Sequence, residues 1–321
     1  MTESTEPSES RPPQLTIDPN FVERLVFESV RPDAARARAY HREFAACYRS
    51  DDPDERERAF RKLHEAWFDR LGFREWLLKL LREFPRLWGQ VARVLLAGMS
   101  ERKRQGVELF GAPDSLRVTV GAPPGLLLDR PAFEYWARHE LQHIEDMLDP
   151  TFGYDARLRP EAATSAAENL IRERYALLWA ISIDARLASR GLLPQAIRPR
   201  RGEEFARALG RCGAADPRAE FEQLWGQWSA ARPDHAGLLE RARRGLIPGS
   251  NGRGLAGQTL RPGPGAPCPL CRFPTHDWVR PETWTARLVA AVQEHFPTWN
   301  PEHGCCGQCA EIYRARQSAR V

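Results

Sequence analysis

The sequence has no long hydrophobic run and very little lysine. No stretch approaches the roughly 18 consecutive apolar residues of a membrane span, which excludes an integral membrane protein. The first residues, MTESTEPSESRPPQ, are acidic and polar, without the basic start or the apolar stretch of a secretory signal. We therefore expect a cytoplasmic protein. Only three of the 47 basic residues are lysine, a bias that we attribute to a GC-rich genome.

The composition is otherwise that of an ordinary folded protein. Of the 321 residues, 42% are hydrophobic and 28% are charged, which excludes wholesale disorder and a disulfide miniprotein and suits two domains. The net charge of +4, from 47 basic and 43 acidic residues, is too balanced to indicate a nucleic-acid partner by itself. Seven cysteines in a cytoplasmic chain are expected to be reduced thiols or metal ligands rather than disulfides.

Local composition divides the chain into five predicted segments. Ser, Thr, Glu and Pro predict a disordered tail, apolar residues at three- and four-residue spacing predict helices, and a dense run of Gly and Pro predicts a linker. The expected fold is mainly α with a small β component, α+β in class. The segments are a tail at 1–19, a helical region at 20–112, a second domain at 113–244, a linker at 245–267 and a small module at 268–321.

The second domain is predicted to begin with a strand and to continue with helices. Residues 116–120, LRVTV, alternate apolar and β-branched side chains, a pattern typical of a strand. Asp129 is a suitable N-cap for a helix that ends at about residue 148. A second long helix is expected over 161–189, and further helices over 202–244, with breaks at Gly213 and Pro233.

The first of these helices carries the sequence HELQH. Residues four apart lie on one face of a helix, so the imidazoles of His139 and His143 can bind one Zn²⁺ ion. Glu140 can reach a water on that metal and act as general base. This HExxH segment resembles the zincin metallopeptidases, over about 60 residues from the strand through the second helix.

The resemblance implies a zinc-dependent hydrolase, peptidase-like, that acts on a peptide or protein. A catalytic zinc requires a third protein ligand and an open position for water. Glutamate-type zincins take this ligand from the following helix, where the predicted apolar stripe contains Glu173 and Asp184. We predict Glu173 as the ligand, with Asp184 in support, because a carboxylate in an apolar stripe needs a partner. Asp146, on the same helix face as His139, is the alternative ligand.

Three alternatives remain open for this site. Glu173 and Asp184 would instead form ion pairs with neighbouring arginines. Glu140 and His143 also form half of the motif of ferritin-like di-iron bundles, although the sequence contains no second ExxH. Two histidines and one carboxylate would equally suit Mn²⁺ or Fe²⁺.

Residues that follow the HExxH motif carry two further expectations. The extended zincin pattern prefers an apolar residue at the position of Glu145, so the sequence departs from the family there. Tyr154 and Arg157 are candidates to stabilise a developing oxyanion. The alternative is that Tyr154 only packs in the turn.

Two CxxC pairs predict a second metal site. Cys268 and Cys271 are followed after 34 residues by Cys306 and Cys309. Each pair forms a tight knuckle, and four thiolates close a tetrahedron around one ion. A closed site has no room for water, so its role is in folding rather than catalysis. The spacing resembles that of the zinc-ribbon class in general.

Three residues beside this tetrad are alternative ligands. Cys305 would replace Cys306, or it is a spare thiol that packs or reacts. His276 and His303 are also alternatives, but four cysteines already complete the site.

The two predicted sites lead to two hypotheses. In the first, the protein is a cytoplasmic zinc metallohydrolase with two zinc ions, one catalytic and one structural. In the second, it is a non-enzymatic zinc-binding protein whose four-cysteine module recruits a protein or a nucleic acid, and its HExxH helix is structural or a degenerate site. A nucleic-acid partner is not favoured, because we expect the aromatic residues of the module to form its small core. These residues are Phe273, Trp278, Trp284, Phe296 and Trp299.

Overall fold

The fold was analysed in a computed structural model. It describes residues 12–101, 105–123, 125–156, 165–209, 216–244, 265–279, 284–297, 299–301 and 304–318. The chain is mainly helical with a small sheet component, as predicted. It divides into two compact units, Met1–Tyr154 with Leu192–Pro194, and Asp155–Gly191 with Gln195–Val321. No described helix is long and apolar enough to cross a membrane.

The described residues of the first unit form six helices and one four-stranded sheet. Short 3₁₀ turns connect some of these elements. The elements are β1 Gln14–Ile17, α1 Pro19–Val30, α2 Ala34–Ala46, α3 Pro53–Arg70, α4 Phe73–Leu81, α5 Pro85–Gln90, β2 Arg93–Gly98, β3 Gly106–Phe110, β4 Arg117–Ala122 and α6 Arg130–Met147.

The sheet has the strand order β1-β2-β4-β3. Strands β1, β2 and β4 are parallel, whereas β3 runs antiparallel to β4 at one edge. Strand β4 confirms the predicted strand, and Val118 and Val120 point into the core. Strand β1 corrects the prediction of a disordered tail over 1–19, because Gln14–Ile17 pairs with β2 over its whole length. Strands β2 and β3 likewise correct the prediction of an all-helical region over 20–112.

One hydrophobic core joins the amino-terminal helices to the HExxH helix. It contains Leu25 of α1 and Phe68 of α3 together with Val118 of β4 and Ile144 of α6, all of them buried. Burial of such side chains is the main stabilising contribution to the unit, at about 1.5–3 kcal/mol for each large residue. The predicted boundary at residue 112 therefore falls inside a single core.

Helix α6 has the boundaries that its capping residues predict. Asp129 accepts a hydrogen bond from the backbone N–H of Ala132, and Pro131 occupies the first turn. Phe133, Leu141 and Ile144 are buried in the core of the first unit, and the helix also contacts β3 and the turn that precedes it. The cap and the buried face thus fix both the start and the rotation of the helix that carries HELQH.

The second unit contains four described helices and a small cysteine-containing module. The long helix α7 packs with the other three helices. They are α7 Ser165–Ser189, α8 Ile197–Leu209, α9 Pro217–Ala230 and α10 His235–Arg243. The helical stretch expected over 202–244 starts earlier than predicted, at Ile197. The predicted break at Pro233 is confirmed, because it lies between α9 and α10, and the predicted break at Gly213 lies outside the described residues.

The module at the carboxy-terminal end has its own core. Its elements are β5 Ala266–Pro267, β6 Pro274–Thr275, α11 Ala286–Gln293 and α12 Gly307–Ser318. Cys268, Cys305, Leu288, Val292 and Trp299 are among its buried residues. The last two residues of the predicted linker form β5, and the remainder, up to residue 264, lies outside the described residues.

Candidate metal centres

The four predicted cysteines come together in the module. The Sγ atoms of Cys268 and Cys309 are 4.0 Å apart, and those of Cys271 and Cys306 are 3.8 Å apart. All four Sγ atoms lie within 4.8 Å of one another. A regular tetrahedron with metal–sulfur bonds of about 2.3 Å has edges of about 3.8 Å, so the spacing matches a zinc–thiolate site. None of the four forms a disulfide.

Local backbone structure aims these thiols at a common point. Cys268 N donates to Phe273 O at 2.9 Å and Arg272 N donates to Cys268 O at 2.8 Å, which closes the first knuckle. Arg272 adopts a left-handed conformation (φ 65°) at this turn. In the second knuckle, Cys309 N donates to Cys306 Sγ at 3.4 Å, and Cys306 N donates to Cys268 Sγ at 3.3 Å. Backbone N–H groups thus stabilise negative charge on the sulfur atoms.

The electrostatics of the tetrad favour a cation at its centre. Burial acts to raise the pKa of Cys268, but hydrogen bonds from the backbone outweigh it and lower this pKa to about 7. Burial and the adjacent thiols raise the pKa of Cys309, and burial also raises the pKa of Cys306. The surroundings therefore stabilise the thiolate form of Cys268 but oppose the ionisation of Cys306 and Cys309. A divalent cation would remove this opposition, so the donor set fits Zn²⁺.

The alternative ligands lie outside the tetrad. Cys305 is fully buried, its Sγ donates to Cys306 O at 3.3 Å, and burial raises its pKa to about 12. It is consequently a packed, unreactive thiol. His276 is exposed and does not join the tetrad, and His303 is outside the described residues.

The two histidines of HELQH are neighbours on α6. Their ring centroids are 5.3 Å apart and their planes are nearly perpendicular. His139 is buried and also lies near Tyr135, with the centroids 6.1 Å apart, whereas His143 is half-buried. Among the described residues, only the cysteine tetrad gathers three or more His, Cys, Asp or Glu ligand atoms within 4.8 Å. The structure therefore pairs His139 with His143, and among the described residues it brings no third ligand atom within this distance of both.

Glu140 lies beside the edge strand of the sheet. A Cβ atom built on Gly106, the first residue of β3, would be 3.5 Å from Glu140 Oε2. Gly106 has φ of 131°, a conformation that residues with a side chain rarely adopt, so the backbone favours glycine at this position. The carboxylate of the predicted general base thus lies next to the antiparallel edge of the sheet.

Three carboxylates at the end of α6 have different surroundings. Asp146 is fully buried and accepts a hydrogen bond from Gln142 Nε2 at 3.3 Å. Glu145 accepts hydrogen bonds from the backbone N–H groups of Arg86 and Leu87, at 3.1 and 3.0 Å, and so caps the start of α5. Arg86 also bridges to Asp149, with Nη2 and Oδ2 3.0 Å apart. The cap explains why an acidic residue stands where the zincin pattern prefers an apolar one.

The apolar-stripe argument for Glu173 is wrong. The buried face of α7 contains Ile171, Arg174 and Leu178, and Glu173 is exposed, one residue away from that face. Arg174 takes the central place because its guanidinium donates to the carbonyl oxygens of Ala208 and Arg244, at 3.0 and 3.1 Å. Glu173 also belongs to the second unit, whereas HELQH belongs to the first. Its role as a ligand stays a prediction.

Asp184 is buried on α7, as predicted, and it has a partner on the next helix. Its Oδ2 atom accepts from Arg201 Nε at 2.7 Å, and the same guanidinium bonds to Glu204. The ion pair links α7 to α8. Asp184 therefore has a structural reason to be buried that involves no metal.

The proposed oxyanion residues are only partly described. Tyr154 is partly exposed at the end of the first unit, and Arg157 lies outside the described residues. Phe152, two residues before Tyr154, is buried and fills the turn.

A cluster of aromatic residues in the amino-terminal helices was not predicted from the sequence as a functional feature. Phe44 contacts both Phe60 and His64, and Tyr48 contacts Phe60, beside a cavity in the first unit. A sequence signal was present for Phe60 and His64, which are four residues apart on α3 and so share a helix face.

Comparison with known protein families, curated proteins and solved structures finds no match to this chain. The fold and the site therefore define only a class, a mainly helical protein with a carboxy-terminal cluster of four cysteines compatible with one zinc ion. The geometry of the four thiols, and not similarity to a known protein, supports zinc binding.

Proposed function

We propose that this chain is a zinc-binding protein in which one Zn²⁺ ion, held by Cys268, Cys271, Cys306 and Cys309, organises the carboxy-terminal module. The observation that carries the proposal is the spacing of 3.8 and 4.0 Å between paired Sγ atoms, which matches a tetrahedral thiolate site. The core of the module is small and includes the cysteines themselves. Without the ion, the module would retain too few apolar contacts to fold.

Cobalt substitution tests the ligand set. Co²⁺ in place of zinc is expected to give the intense sulfur-to-metal charge transfer and the visible bands of a tetrahedral tetrathiolate site. Cys309→Ser should alter this spectrum, whereas Cys47→Ser, a change in the first unit, should leave it intact. An octahedral spectrum, or one insensitive to Cys309→Ser, would refute the four-cysteine site.

We further propose that helix α6 holds a second divalent metal ion and supports hydrolysis of peptides or related amides. The specific support is that the imidazole ring centroids of His139 and His143 are 5.3 Å apart and that Glu140 lies next to strand β3. Edge strands bind extended peptides by adding them to the sheet, so β3 offers a surface for a peptide beside Glu140.

The candidate residues would have the following roles in this reaction. The imidazoles of His139 and His143 would hold the ion, and Asp146 or Glu173 would complete the set. When bound, the metal supplies polarisation of a carbonyl and a more acidic water. The Glu140 carboxylate would accept a proton from the attacking water.

A peptide-hydrolysis assay on the metal-loaded full chain tests this second proposal. Glu140→Gln should abolish turnover while the metal content stays unchanged, because the glutamate is not a ligand. Glu75→Gln, on an exposed position of α4, is the matched control. Asp146→Asn and Glu173→Gln then separate the two candidate ligands by which one loses the metal. Equal activity of wild type and Glu140→Gln would refute the proposal.

A further inference from the structure

A cavity of about 610 Å³ lies in the first unit, remote in sequence from both candidate metal centres. It is lined by β1, the start of α1, the end of α2, α3 and the first turn of α4. Its volume falls within the range of about 300–1,000 Å³ that is typical of small-molecule sites. Neither proposal for the metal centres uses any of its residues.

One wall of the cavity is aromatic. The ring centroids of Phe44 and Phe60 are 4.8 Å apart, and those of Tyr48 and Phe60 are 5.1 Å apart. Tyr48 is 59% exposed, so this cluster keeps a large apolar surface in contact with water. Aromatic faces carry negative partial charge and attract cations within about 6 Å of the ring centroid.

The charged residues of the lining leave a negative excess. Arg61 pairs with Glu57 at 2.8 Å, and Arg74 pairs with Asp69 at 2.7 Å. The two remaining lining carboxylates, Glu23 and Glu65, form no ion pair with any described residue. Two exposed carboxylates without an ion pair to a described residue therefore line the same cavity as the aromatic wall, which disfavours an anionic ligand and favours a cation.

The floor of the cavity adds polar groups without adding positive charge. His64 is buried, and its Nε2 atom is 2.9 Å from the hydroxyl of Tyr40. Burial lowers the pKa of His64 despite the nearby carboxylate of Glu23, so the ring is neutral at pH 7. Its plane is close to parallel to that of Phe60, which continues the aromatic wall inward.

We propose that this cavity binds a small organic cation of the substituted or quaternary ammonium class. The faces of Phe44, Tyr48 and Phe60 would contact the alkylated nitrogen, and Glu23 and Glu65 would supply the balancing charge. Ring faces and carboxylates are the groups that recognise such cations, because the nitrogen substituents are too weakly polar to need hydrogen bonds. The site belongs to the first unit alone and does not require metal.

Isothermal titration calorimetry with two probes tests the proposal on the full chain. Choline carries a quaternary ammonium group, and 3,3-dimethylbutan-1-ol has the same shape without the charge. Choline is expected to bind at least roughly tenfold more tightly than the neutral alcohol, because only the cation gains from the rings and the carboxylates. Equal binding of the two probes, or no saturable binding of choline, would overturn the proposal.

Matched variants locate the binding in the cavity. Phe60→Leu and the double change Glu23→Gln/Glu65→Gln should each weaken choline binding roughly three- to tenfold. Tyr48→Ser, at an exposed position that tolerates substitution, should also weaken it. Phe27→Leu and Glu75→Gln remove an exposed ring and an exposed carboxylate outside the cavity, and should leave the affinity unchanged. If the cavity variants behave like these controls, the proposed site is wrong.

Discussion

Removal of the Glu145 carboxylate should destabilise the first unit. Glu145 is buried and accepts two backbone hydrogen bonds, from Arg86 N at 3.1 Å and from Leu87 N at 3.0 Å, at the start of α5. Each bond to a charged acceptor contributes about 1.5–3 kcal/mol, and water that enters the space left by truncation recovers part of the loss. We therefore expect Glu145→Ala to lower the free energy of unfolding by about 3 kcal/mol.

The conservative change Glu145→Gln should have an intermediate effect. An amide presents one acceptor oxygen and one NH₂ group, so it can satisfy one backbone N–H while it opposes the other. The expected loss is about 2 kcal/mol. Because Glu145 is a cap and not a ligand, neither change should alter the metal content.

Differential scanning calorimetry of the full chain measures both variants, and the affected transition is that of the first unit. Glu75→Ala, an exposed change on α4, is the control and should cost less than about 0.5 kcal/mol. A loss of stability in Glu145→Ala no larger than in this control would refute the capping role. Loss of metal in Glu145→Ala would instead make Glu145 part of a metal site.

Three further predictions follow from buried polar groups and from the zinc site. Asp184→Asn leaves the largely buried guanidinium of Arg201 without the carboxylate of Asp184. Chemical denaturation should therefore show that the free energy of unfolding falls by about 3 kcal/mol. A decrease below about 1 kcal/mol would contradict the structural role of the Asp184–Arg201 pair. Burial lowers the pKa of His64 from its ordinary value of 6.5, so its contribution to stability is complete above pH 6.5 and declines as the pH falls through the lowered folded-state pKa. His64→Gln should flatten this part of the stability–pH profile, and an unchanged slope would exclude His64 as the titrating group. Chelation of zinc should open residues 268–318 to protease while α1–α6 stay resistant, and equal resistance with and without chelator would argue against a folding role for the ion.

The features that the sequence predicts best depend on local geometry. The start of α6 follows from Asp129 and Pro131, whose capping roles involve only the next few residues. The cysteine tetrad follows from the CxxC spacing, since each knuckle is a local turn and the metal requires the two turns to meet. Both predictions needed no knowledge of distant contacts.

Features that depend on distant partners were not predictable from local pattern. The four residues of β1 lie in a polar segment and become a strand only by pairing with β2, which lies far along the chain. The rotation of α7 depends on Arg174, which a hydrophobicity pattern places on the outside. Its guanidinium is buried because it finds the carbonyl oxygens of Ala208 and Arg244. The error for Glu173 follows directly, because one residue of helix corresponds to about 100° of rotation.

The candidate metal site on α6 also combines a feature set by local geometry with one that depends on distant contacts. HELQH itself predicts that His139 and His143 share a face, and their rings are indeed adjacent. A third ligand must come from a different turn or element, and its placement depends on packing that the motif does not encode. The buried Asp146 is one turn away on the same helix, and its carboxylate already interacts with Gln142.

The most direct test of the central claim is the metal content of the full chain, purified without a metal-affinity tag and measured by elemental mass spectrometry. Wild type would be compared with Cys306→Ser/Cys309→Ser and with His139→Ala/His143→Ala. The four-cysteine site predicts one zinc ion that is lost with the cysteine change and retained with the histidine change. A second ion, lost only with the histidine change, would support the hydrolase proposal. A folded wild-type protein that contains no zinc, with all four thiols of the tetrad free to react, would contradict the account.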